Sequence, residues 1–130
     1  MFASLTPEDL EGLADARLLD AEALLAAQRY DASRYICGYA VELKLKARIC
    51  RAHGWDRYPP VAPLAQALKT HNLEVLLLLS TMNARIVNEY AGHWSVVLAW
   101  NPEQRYDVNP VAVQDAQTMI DAARALMAVL

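Results

Sequence analysis

A chain of 130 residues with 55% hydrophobic and 21% charged side chains has room for one core and one domain, residues 1–130, and is too apolar to be disordered. A net charge of −3 and a pI of about 5.5 argue against a general nucleic-acid binder. Only four Gly and six Pro interrupt a sequence rich in Ala and Leu, which points to an all-α fold.

Thr6-Pro7-Glu8-Asp9 reads as a helix start, with a capping hydroxyl, a proline suited to the first turn and acids that complement the dipole. Leu10, Leu13, Ala14, Leu18, Ala21, Leu24 and Leu25 then repeat at threes and fours to about Gln28. Asp31 can cap a second helix that runs to about His53, where Gly54 can end it. The stretch from Trp55 to Ala62 reads as a loop, and Pro63 to Lys69 as a helical turn. Thr70 or Asn72 can cap a third helix through Leu73, Leu76, Leu77 and Ser80. Residues 83–93 look helical, Trp94 to Trp100 could form one or two turns, and Arg105 to Pro110 is a loop. The last helix spans about Val111 to Val129, with Val113, Ala116, Met119, Ile120, Ala123 and Met127 on one face. The expected architecture is an up-and-down bundle of four to five helices.

The second helix carries most of the information. Ile36, Tyr39, Ala40, Leu43, Ala47 and Cys50 form one broad apolar face, and Leu45 and Ile49 a second strip nearly opposite. Such a helix is buried twice, once in its own bundle and once against another helix of the chain or a second subunit. Glu42 and Lys46 fall between the strips at i, i+4. They are either a local ion pair or, with Leu45 and Ile49, part of a dimer seam. Lys44, Arg48 and Arg51 share another face, either a solvated basic surface or a phosphate-binding strip. Residues 29–57 hold seven bases and three acids, against five bases and twelve acids elsewhere, so the strip stands out in an acidic chain.

Cys37 and Cys50 lie thirteen residues apart on this helix, roughly 20 Å at its rise per residue, too far for a disulfide. They read as buried thiols of a cytoplasmic protein. Met1 to Leu5 is too short for a secretory leader, no apolar run approaches a membrane span, and no metal site or cofactor motif is visible.

Gly38, Ala40, Glu42, Leu45 and Lys46, with Arg29-Tyr30-Asp31 before them and Lys69-Thr70-His71-Asn72-Leu73 and Leu76 after them, resemble the HEPN domain (higher eukaryotes and prokaryotes nucleotide-binding). The resemblance covers roughly residues 10–129. It implies a helical bundle, commonly a homodimer. It also implies a function in toxin–antitoxin or defence systems, often beside a nucleotidyltransferase-type partner protein. The reading it favours is a non-catalytic module that binds nucleotide, RNA or protein. The alternative is a metal-independent ribonuclease. Members of that kind carry Arg, then four to six residues, then His, paired across a dimer cleft. Arg48 and His53 fit this spacing, while Arg85 and His93 miss it by one. His would supply a base and Arg a cation for the phosphorane oxygens. Lys44, Lys46, Arg51, His71, Arg105 and Tyr106 are the candidate ligand contacts. His71 is otherwise a structural ring bonded to the bundle, and Trp94, Trp100 and Tyr106 either stack a base or fill the core.

Overall fold

The computed structural model describes residues 4–60, 68–101 and 108–130. Six helices are present among them: α1 (Pro7–Ala26), α2 (Tyr30–His53), α3 (Leu73–Leu79), α4 (Asn83–Glu89), α5 (Ala91–Leu98) and α6 (Val113–Met127). One isolated antiparallel bridge joins Leu5 to Tyr58. No helix among the described residues is long and apolar enough to cross a membrane.

The starts and stops follow from local chemistry. Thr6 and Asp9 form a reciprocal capping box at the head of α1, and Pro7 takes the first turn. Gly54 closes α2 in the left-handed conformation, φ 68°. The Asn72 side chain accepts from the Glu74 and Val75 amides to open α3, while Thr70 Oγ1 accepts from the Asn72 amide. Asp31 does not cap α2, contrary to the sequence expectation. That helix starts one residue earlier, at Tyr30, and the Asp31 carboxylate accepts from the Val111 amide at 2.9 Å. An acid expected to organise its own helix instead ties α2 to the approach of α6. The helical stretch expected over residues 83–93 and the turns expected from Trp94 to Trp100 are two short helices that meet earlier, at Tyr90.

The bundle is built around α2, which packs along α1 over most of its length and also meets α6 and α3. Val41, Leu45, Ile49 and Cys50 of α2 are fully covered, as are Leu76, Ile86, Val97 and Met119 from the surrounding helices. The second apolar strip of α2 is thus covered by the chain itself. Ser33, on the α1 side, donates its hydroxyl to the Ala21 carbonyl at 2.7 Å, so the buried oxygen is satisfied. Gly38 is where α2 admits a large neighbour. A Cβ there would lie 2.1 Å from the Trp100 indole. The same indole donates from Nε1 to the Tyr35 carbonyl at 3.1 Å, and Tyr39 meets it edge to face.

Candidate functional site

Beside Trp100, three residues from two sequence motifs meet. The Glu42 carboxylate is almost wholly out of water, its side chain 4% exposed. One oxygen accepts from Lys46 Nζ at 3.1 Å and the other from His71 Nδ1 at 2.8 Å. The first contact is built into α2, since i and i+4 share a face. The second depends on where the chain returns to open α3. Lys46 also lies over the Tyr58 ring, 5.5 Å from its centre. The Tyr58 hydroxyl donates to the Leu68 carbonyl at 2.7 Å, and burial, with the Glu42 charge second, pushes that phenol up to about 12. It is a structural donor.

This arrangement orients His71. A carboxylate can only accept, so Nδ1 carries the proton and Nε2 is the outward nitrogen. The ring stands edge-on to Tyr39, and 55% of the side chain is exposed. It borders a cleft of about 380 Å³ with Asn72, Leu73, Glu74, Leu98, Trp100 and Asn101. Nε2 has no partner among the described residues.

The other candidates are placed differently. Leu45 and Ile49 are fully buried in the single chain, and Glu42 and Lys46 expose 3% and 5%. All four therefore lack the surface that a dimer seam requires. Lys46 is likewise too deep to meet a ligand from solvent. Arg51 is exposed but bonds Glu11 of α1 at 2.6 Å, with Glu8 at 3.7 Å. Lys44 adds its field to the same carboxylate. The hollow beside Arg51 is lined by Glu8 and Asp56 as well, so a phosphate entering it would face two carboxylates. The strip that looked free of acids in the sequence receives them from elsewhere in the fold.

Arg48 and His53 share no hydrogen bond. His53 donates from Nε2 to the Leu79 carbonyl at 2.8 Å and stacks on Trp55, which ties the end of α2 to the end of α3. Arg48 has its Nε buried without a hydrogen-bond partner among the described residues. Trp94 and Trp100, 7% and 4% exposed, are core residues with no open face for a base. Arg105 and Tyr106 lie outside the described residues. Burial pushes the Cys37 thiol up to about 12 and the Cys50 thiol up to about 11, which disfavours the thiolate. No group of three or more His, Cys, Asp or Glu able to hold a metal occurs among the described residues.

The Glu42–His71 contact was not foreseen, because 29 residues separate the partners. The seat of Trp100 had a readable signal. A glycine in the middle of a long helix costs about 1 kcal/mol, so Gly38 asks for a packing reason. No family model, curated protein or solved structure matches the chain.

Proposed function

We propose that this chain is a HEPN-like helical module that binds a nucleotide or RNA without cleaving it, and that the cleft at His71 is its site. One observation carries the reading. Glu42 belongs to the Gly-x-Ala-x-Glu stretch of the resemblance and His71 to its His-x-Leu stretch, and the two join in a 2.8 Å hydrogen bond at the edge of a cleft. A buried acid and its ammonium hold the ring, and half of the ring faces solvent. That is how a protein fixes a polar contact for a ligand. The homodimer and the toxin–antitoxin type of partner protein belong to the same proposal. Sedimentation of the purified chain tests the first, and identification of what co-purifies tests the second.

Equilibrium dialysis against ATP, GTP, CTP, UTP and short single-stranded RNA tests the site. The proposal expects saturable binding of at least one of them, weakened in His71→Phe with the melting temperature kept. Absence of binding across the whole set overturns it. RNA incubated with the protein in EDTA should stay intact. Cleavage that vanishes in His53→Ala would instead establish the ribonuclease alternative through Arg48 and His53.

A further inference from the structure

The cleft sorts the three parts of a nucleotide by their chemistry. Its described lining holds no Lys or Arg. Glu74 stands in it as an exposed carboxylate, and Glu42 lies behind His71. Lys46 is the balancing cation of Glu42 and is buried. A phosphate would meet negative charge there without the fork of donors or the point charge that usually holds it. A base finds little to stack on. Trp100 is 4% exposed, its indole pressed on Gly38 and met by Tyr39, and Leu98 offers an aliphatic edge that is 37% exposed.

Beside the side-chain amides of Asn72 and Asn101, the cleft offers two acceptors. With Nδ1 protonated toward Glu42, the neutral imidazole presents Nε2 as an acceptor. The Glu74 carboxylate is a second acceptor on the same cleft, in the first turn of α3. Two acceptors on one open polar cleft suit a ligand part with adjacent hydroxyl donors. We infer that the cleft holds the ribose diol of a nucleotide or RNA, with His71 Nε2 and Glu74 accepting from its hydroxyls while base and phosphate lie outside. This inference rests on the proposed function and assigns its ligand chemistry. His71 and Glu74 then distinguish ribose from deoxyribose.

Titration calorimetry at pH 8 tests it. The four ribonucleosides are each compared with the 2′-deoxy and 2′,3′-dideoxy forms, with the matching triphosphates and with inorganic phosphate. The expected result is that the best ribonucleoside binds about as well as its triphosphate and inorganic phosphate does not bind. Each hydroxyl removed should cost up to about tenfold in affinity. His71→Phe and Glu74→Gln should each flatten the contrast between ribose and deoxyribose. Equal binding of ribo and dideoxy forms overturns the inference while the proposed function stands. So does binding of inorganic phosphate in competition with the nucleotide. Failure of every nucleoside and triphosphate overturns both.

Discussion

On one side of α2, Glu42 and Lys46 are withdrawn from water and closed over by Tyr58 and His71. On another, Lys44 and Arg51 stay near the surface and are answered by the acids of α1. Both regions pair acids with bases on the same helix. They differ in what replaces water. The buried pair is withdrawn from water, so losing Glu42 removes the carboxylate that balances a buried ammonium. The surface pair can trade a partner for solvent at little cost. The helix therefore carries one cluster that defines geometry and one that mostly cancels charge. Glu42→Ala is the sharpest way to break this comparison. It should cost about 3–5 kcal/mol in urea unfolding, because Lys46 is left buried without its counterion. Replacing both, as Glu42→Leu with Lys46→Met, should recover most of that loss. If Glu42→Ala were as mild as Arg51→Ala, the buried cluster would have no special standing.

Gly38→Ala comes next. The added methyl must displace Trp100, whose indole is fixed by the Tyr35 carbonyl and by Tyr39. Overpacking of this kind costs about 1–3 kcal/mol. Trp100 also lines the cleft, so nucleotide binding should weaken with stability, whereas Gly12→Ala, in open space within α1, should raise stability by up to about 1 kcal/mol and leave binding unchanged. Denaturation curves and dialysis on the two variants separate these outcomes.

Much of this division was legible in the residues themselves. The Thr6 cap, the Gly54 stop and the Asn72 start are local devices, and each sits where the sequence put it. The two apolar strips on α2 announced a helix buried on more than one side. Contacts across long stretches of chain were not legible. Asp31 looks like a cap until Val111 arrives from 80 residues away. The basic strip looks unopposed because Glu8 and Glu11 belong to another helix. The break falls at Tyr90, a few residues before the boundary after residue 93 that the sequence suggests. His71 was readable as a helix-start residue, but its carboxylate partner could only be found in three dimensions.

The thiols sharpen the comparison further. An open basic surface beside Cys37 or Cys50 would favour thiolate and make them reactive. Burial instead holds them at about 12 and about 11. At pH 8 the thiolate fractions are roughly one part in 10⁴ and one in 10³. Iodoacetamide should leave the native chain unlabelled over an hour and label both positions in urea, as read by mass spectrometry. Fast native labelling of either would mean that the basic side of α2 is open.

The smallest effect belongs to the α1–α2 ion pair, and its pH dependence has a definite sign. The hydrogen bond from Arg51, opposed by a smaller desolvation, holds the Glu11 carboxyl below its usual value. A carboxylate depressed in the folded state stabilises the fold above its unfolded value. It loses that contribution as pH falls through the folded one. Wild type should therefore exceed Glu11→Gln slightly at pH 7, and the gap should close on acidification below about pH 4. Salt should narrow the same gap at pH 7, because both partners reach solvent. The Glu42 and Lys46 side chains are out of water, so the loss in Glu42→Ala should be nearly the same at low and high salt. A salt response shared by both variants would erase the distinction between the two sides of α2.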